Sequence, residues 1–306
     1  MKLVICEKPS VAKAVASALG VTSRADGCFE GNGLIVSWCV GHLVSPMDAA
    51  GYDPGYKKWK YDDLPILPEP FRYVLAKGKE DAFQNLKHLM EREDVTELVN
   101  ACDAGREGEL IFRLVYEMAG CRKPFSRLWI SSMEDAAIRE GFQDLRPGAE
   151  YDPLYQSALC RQKADWLIGI NATRLFSVLY HRTLNVGRVQ TPTLVMLVDR
   201  DWKITSFKKE KYHHVRLALD GAEAVSERIT SLEEAEALRV ACADDPAVCT
   251  AVTREQKKEA PPKFYDLTTL QREANRLFGY TAKQTLDYTQ SLYEKKLLTY
   301  PRTDSR

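Results

Sequence analysis

The sequence has no apolar run approaching the roughly 18 residues that mark a membrane-spanning helix, and it has no leader of the secretory type. It has no Cys-x-x-Cys pair either. Its eight cysteines, at positions 6, 28, 39, 102, 121, 160, 242 and 249, stand singly. These absences argue against a membrane span, structural zinc and a disulfide framework, and they fit reduced thiols in a cytoplasmic setting. Internal repeats and low-complexity tracts are also lacking, and 43 Lys+Arg balance 43 Asp+Glu. What is present is a chain of 306 residues, 45% hydrophobic and 28% charged, which is ordinary for a folded protein with room for more than one core.

The zero balance conceals an uneven distribution. Residues 161–211 hold ten Lys/Arg against four Asp/Glu, and residues 220–245 hold two against eight. A basic segment suits phosphate binding and an acidic one suits a part turned away from it. A plain solvated face accounts for either.

Two strand-to-helix turns carry acids. Leu3-Val4-Ile5-Cys6 reads as a buried strand, and Pro9-Ser10 opens a helix with Val11, Ala14, Val15, Ala18 and Leu19 on one face and Gly20 as its stop. Glu7 and Lys8 occupy the turn between them. Leu98-Val99-Asn100-Ala101-Cys102 reads as a second strand, with Leu110, Ile111, Leu114, Val115 and Met118 on the helix after it. The second turn is Asp103-Ala104-Gly105-Arg106-Glu107-Gly108-Glu109. In open α/β sheets, sites form beyond the carboxyl ends of strands, so adjacent strands would bring Glu7, Asp103 and Glu107 together. Clustered carboxylates with space for water suit Mg²⁺. Taken singly, Glu7-Lys8 reads equally as a surface ion pair, and the later run as an acidic first helical turn.

The last ten residues contain Tyr300-Pro301-Arg302-Thr303-Asp304. The residue before a proline is biased toward extended backbone, where side chains two apart share a face, so Tyr300 and Arg302 are expected to point the same way. A phenol of pKa about 10 is a poor nucleophile near neutrality. A guanidinium beside it would hold a phosphate during attack.

Together these segments resemble type IA DNA topoisomerases, most closely the topoisomerase III branch. Met1 to Ser10 is similar to the start of the family's Toprim domain, Asp103 to Glu109 to its acidic motif, and Arg127-Leu128-Trp129-Ile130-Ser131-Ser132 to the end of that domain. Gly187-Arg188-Val189-Gln190-Thr191-Pro192 is similar to the DNA-gripping segment, and Leu298 to Ser305 to the nucleophile motif. The matches follow the family's order and span almost the whole chain.

The resemblance implies ATP-independent cleavage of single-stranded DNA through a 5′-phosphotyrosyl link at Tyr300, strand passage and religation, relaxing negative supercoils or decatenating DNA. By position, Glu7 would exchange a proton with the 3′-oxygen, Lys8 and Arg302 would hold the scissile phosphate, and Asp103 and Glu107, with Glu7, would hold Mg²⁺. Arg188, Gln190 and Thr191, together with Arg161 and Arg174 on a helix, are the candidates for contacting DNA phosphates. The partner is single-stranded or negatively supercoiled DNA in the nucleoid, with no membrane; a helicase partner rests on the resemblance alone. The family commonly has a third acid where this chain has Gly105, which should weaken or relocate the metal. Glu109 is a poor substitute, since it points about 200° from Glu107 around a helix. His42 matches a family segment and reads as a structural histidine.

The expected architecture is multidomain α/β. Residues 1–150 form the Rossmann-like Toprim domain, 151–212 part of a mainly helical DNA-gripping domain and 213–262 a small strand-containing segment ending at the Pro261-Pro262 hinge. Residues 263–306 begin a helical nucleophile domain. Its two helices, about 268–278 and 281–296, read either as a helix-turn-helix DNA reader or as the scaffold that presents Tyr300. The family continues well past its tyrosine, so the chain reads as an N-terminal part. Two rivals stand beside this reading: another Toprim enzyme such as a primase or nuclease, and a fragment that binds single-stranded DNA and Mg²⁺ without turning over.

Overall fold

The computed structural model describes residues 1–243, 246 and 248–302. Residues 303–306, which end the nucleophile motif, lie outside the described residues. Two compact units are present, one made of residues 1–190 with 263–306 and the other of residues 191–262.

The first unit begins with β1 (Lys2–Cys6), α1 (Pro9–Ala18), β2 (Ser23–Ala25), β3 (Cys28–Gly31), β4 (Leu34–Trp38) and β5 (Val44–Pro46). It continues through α2 (Ala49–Tyr52), β6 (Tyr73–Leu75), α3 (Glu80–Glu91), β7 (Glu97–Ala101), α4 (Arg106–Met118), β8 (Phe125–Arg127), α5 (Asp135–Gln143), β9 (Arg146–Pro147) and α6 (Asp152–Leu179). Seven of these strands form one sheet in the order β2-β3-β4-β1-β7-β8-β9. Its centre is parallel: β1 pairs with β4 and β7, and β7 with β8. Helical crossovers make such strands buried on both faces, which explains their continuous apolar runs.

The period of two along β1 divides the core. Leu3 and Ile5 face a cluster containing Phe83, Leu86, Leu110 and Leu114, on α3 and α4. Val4 and Cys6 face the opposite cluster, with Val11 and Val15 from α1 and Ile138 from α5. All eight cysteines are free thiols.

The second unit holds the body of α7 (Gln190–Thr205), the hairpin β10 (Arg216–Leu219) and β11 (Ala222–Val225), and α8 (Leu232–Ala241). The hairpin closes over Asp220-Gly221, with Gly221 at φ +74°, the left-handed conformation that tight two-residue hairpins require. Ser231 caps α8 by accepting from the Glu234 amide at 3.3 Å.

The chain then returns to the first unit as α9 (Leu267–Phe278) and α10 (Ala282–Glu294). Asp266 caps α9, Gly279 ends it at φ +69°, and Thr281 with Gln284 forms a reciprocal capping box on α10. This local chemistry folds the helix pair back on itself. The end of the pair is seated in the sheet's packing: Tyr293 and Tyr300 belong to the cluster on the α1 face. That seating favours the scaffold over the DNA-reader alternative. Among the described residues, no helix is long and apolar enough to cross a membrane.

Candidate active site

Pairing β1 with β7 in parallel register, Cys6 opposite Ala101, sets their carboxyl ends level. Glu7 and Asp103, one and two residues beyond, therefore meet. Asp103 is buried, and its Oδ1 has no hydrogen-bond partner among the described residues. The Tyr300 hydroxyl and the Glu7 carboxyl both interact with the Asp103 carboxylate. The Tyr300 ring packs edge-on against Tyr293, with centroids 5.5 Å apart, and its amide donates to Ser131 O at 2.8 Å.

Burial raises all three groups. Glu7 is pushed up to about 7 by burial and the Asp103 charge, with Lys8 opposing. Burial also raises Asp103, against the pull of Lys8 and of hydrogen bonds from Glu7 and Tyr300. The two carboxyls are one coupled system, and the direction is upward for both. Burial, Asp103 and Glu7 carry the Tyr300 phenol well above its ordinary value, and Arg302 opposes them. Lys8 lies beside the pair and reaches Glu294 Oε1 at 3.8 Å. Pro301 and Arg302 lie in a turn rather than an extended segment, so the exposed Arg302 acts on Tyr300 by charge and not through strand alternation.

Glu107 does not join this set. Its carboxylate pairs with His42 Nε2 at 3.4 Å and Arg161 Nη1 at 3.8 Å. His42, first, and then Arg161 hold its pKa below the ordinary value. Among the described residues, no group of three or more His, Cys, Asp or Glu is arranged to hold a metal ion. The helix geometry explains the separation, because Glu107 lies in the first turn of α4, which carries it away from the strand ends. His42 is correspondingly not a buried structural histidine. With Glu107, Arg161 and Asp165 it lines a polar cleft of about 240 Å³.

Arg188 forks onto Asp165, Nε to Oδ1 at 2.5 Å and Nη2 to Oδ2 at 3.3 Å. Gln190 and Thr191 begin α7 at the boundary between the units. Arg174 departs from expectation: it is buried at 5% exposure and donates to Tyr56 O at 2.9 Å, so it braces the fold instead of offering its charge to solvent.

Sequence reasoning missed the brace beneath Asp103. Arg127 is fully buried and donates to the carbonyls of Asn100, Cys102 and Leu128 through Nη1 and of Asp103 through Nη2, at 2.7–2.9 Å. Its Nε lies 3.1 Å from Glu109 Oε2, close enough for an ion pair but without hydrogen-bond alignment. Glu109, also fully buried, takes 2.9 Å hydrogen bonds from Asn100 and Arg113. It is the foundation of the turn and not a substitute ligand. Gly108 lets α4 approach, since a Cβ there would stand 2.1 Å from Asp103 O. One sequence signal pointed to this brace: a polar Asn100 inside an otherwise apolar strand, which needs buried partners.

Residues 2–133 match the Toprim domain family, and residues 149–306 match the family described as DNA topoisomerase. The chain is 45% identical over 314 residues to DNA topoisomerase 3 of Shouchella clausii strain KSM-K16, covering 100% of this chain and 43% of the relative. It is 44% identical over 312 residues to DNA topoisomerase 3 of Bacillus subtilis strain 168, covering 99% and 43%. Full-length topoisomerase I from Thermotoga maritima superposes with a TM-score of 0.70 at 27% identity, over 99% of this chain and 49% of that one. The chain thus spans less than half the length of these relatives. With an α/β domain at its start, a tyrosine seated on that domain's acids and a family match over more than half its residues, this chain belongs to the bacterial type IA DNA topoisomerases.

Proposed function

We propose that this chain carries the strand-cleaving site of an ATP-independent type IA topoisomerase acting on single-stranded or negatively supercoiled DNA. The observation that carries this reading is the Tyr300 hydroxyl resting against the Glu7–Asp103 pair at the ends of adjacent parallel strands. A primase or nuclease needs no tyrosine there.

In the forward step the Tyr300 oxygen bonds to a backbone phosphorus and the bond from phosphorus to the 3′-oxygen breaks. The phenolic proton leaves toward the Asp103 carboxylate that it already meets. Glu7, raised to about 7 and so substantially protonated near neutrality, gives its proton to the departing 3′-oxygen. Religation reverses both transfers. Lys8 and Arg302 would offset phosphate charge, and Arg161, Arg188, Gln190 and Thr191 would contact backbone phosphates of the held strand. Residues 151–212 then serve as the gripping segment, 213–262 as part of an arch and 263–306 as the nucleophile segment.

Magnesium fits the acids present. Two carboxyls that are raised by burial and mutual repulsion, one with an orphaned buried oxygen, are hard oxygen donors short of a cation. Glu7, once it has given up its proton, and Asp103 would hold it, while Glu107 is turned to His42 and Arg161. A bound Mg²⁺ supplies charge neutralisation and orientation of the phosphate.

The test is to incubate the chain with 3′-end-labelled single-stranded DNA and Mg²⁺, denature, and look for a covalent adduct. An adduct is expected that disappears in Tyr300→Phe. An adduct surviving that substitution refutes the nucleophile, and binding without an adduct favours a gripping fragment.

A further inference from the structure

The cleft at the far end of α6 plays no part in the chemistry above. The sixteen residue steps from Arg161 to Ser177 rise about 24 Å at 1.5 Å per residue. There the segment between α2 and β6 packs on the helix. Arg174 fixes it, with Nη1 on Tyr56 O and its guanidinium carbon 5.5 Å from the Trp59 ring centroid. The Nε of this buried arginine has no hydrogen-bond partner among the described residues.

Trp59 nonetheless stays 42% exposed. It forms one wall of a cleft of about 370 Å³, with Ser177, His181 and Arg182 on the others. His181 holds φ +51°, an uncommon conformation for a side-chain-bearing residue, at the turn that ends α6. Lys57, Lys58 and Lys60 are exposed neighbours of Trp59 in the chain, and Arg182 lines the cleft itself. The acids of this segment, Asp53, Asp62, Asp63 and Glu69, lie outside the cleft lining, as the three lysines do, and Asp53 is engaged as a cap on the Gly55 amide.

A part-exposed indole packed on a helix end, with Arg182 in the same cleft and three exposed lysines next to it in the chain, can stack a base on its ring while the cations hold the phosphates. We propose that this cleft is a second contact for single-stranded DNA, with Trp59 stacking on a base and Lys57, Lys58, Lys60 and Arg182 holding the flanking phosphates. An acidic peptide would satisfy the cations but leave the indole without a planar partner. The proposal rests on the single-stranded DNA reading above. At a stacked spacing of 3.4 Å per nucleotide, about seven nucleotides separate this contact from Arg161.

The test measures binding of the full chain to a 15-nucleotide oligothymidylate, to the same backbone with abasic positions, and to polyglutamate. Trp59→Ala is expected to weaken oligothymidylate binding about tenfold. Trp59→Phe, which keeps a ring, should stay within about twofold of the unsubstituted chain, and abasic DNA should not distinguish the two variants. Replacing Lys57, Lys58 and Lys60 by Gln should reduce the slope of log affinity against log salt by about 2. Circular dichroism checks that each variant is folded. Unchanged oligothymidylate affinity in folded Trp59→Ala overturns the second contact and leaves the Tyr300 site standing. An equal loss on polyglutamate or abasic DNA overturns base stacking. An unsubstituted chain that binds no oligothymidylate brings down the DNA reading itself, and this contact with it.

Discussion

The turn after β1 presents Glu7 and Lys8 with no side-chain hydrogen bond capping its helix. The turn after β7 stands on Arg127, Glu109 and Arg113, a buried set that holds four successive or neighbouring carbonyls in place. Both turns end parallel strands and both carry acids, yet only the second stands on this buried arginine–glutamate set. In the proposed chemistry both Glu7 and Asp103 exchange a proton, and the second turn in addition holds Asp103 from below. Three acids of the second turn accordingly meet three fates. Asp103 faces Tyr300, Glu107 faces the cleft with His42, and Glu109 is buried under both.

The strongest way to break the contrast is to remove the brace. Arg127→Met strips Glu109 of one of its two arginine partners and four buried carbonyls of their donor, and should cost about 3–5 kcal/mol of stability in denaturant unfolding. A loss below 1 kcal/mol would mean that the second turn is no more fixed than the first.

A smaller effect should come from the first turn. Glu7 has a folded pKa near 7, above its ordinary 4.5, so the folded state binds more protons across that window. Stability should therefore fall as pH rises from about 4.5 to about 7 in metal-free buffer, and Glu7→Gln should flatten that fall. Unfolding midpoints at pH 5 and 7.5 measure it. An equal slope in both proteins would place the shared proton elsewhere.

The smallest change concerns the gap in the acidic run. Gly105 is extended at φ −175°, and a Cβ there meets nothing within 4 Å, so Gly105→Asp should be accommodated without loss of stability. It adds a hard ligand near Asp103 and should lower the Mg²⁺ concentration that half-saturates binding about two- to tenfold, consistent with the effect of one added ligating group. Calorimetric titration of the two proteins would show it, and identical titrations would mean that position 105 does not face the metal.

Much of this was legible in the sequence because the signals were local. The apolar runs at 3–6 and 98–102 gave the strands, and Pro9, Gly20, Gly279 and Thr281 marked helix ends by chemistry that acts within a few residues. The meeting of Glu7 with Asp103 followed from one assumption about strand neighbours. What depends on packing between distant segments was not legible. Arg174 looked like a phosphate ligand because nothing near it in sequence announces the Tyr56 carbonyl that buries it. Glu109 looked like a spare acid because its partner Arg127 lies a strand away. Tyr300 and Arg302 were expected to align by extended geometry, and the chain turns instead.

Tyr300 is 7% exposed and Tyr293 1%, and both are packed into the cluster that Val4, Val11 and Ile138 line. The proposed nucleophile is thus also a stopper in the apolar interior. Drawing its segment away from the sheet uncorks that interior, and the wetted surface pulls the stopper back. A DNA end bonded to its oxygen would travel with the stopper, so the same apolar closure that hides the tyrosine would also return a severed end to its mate.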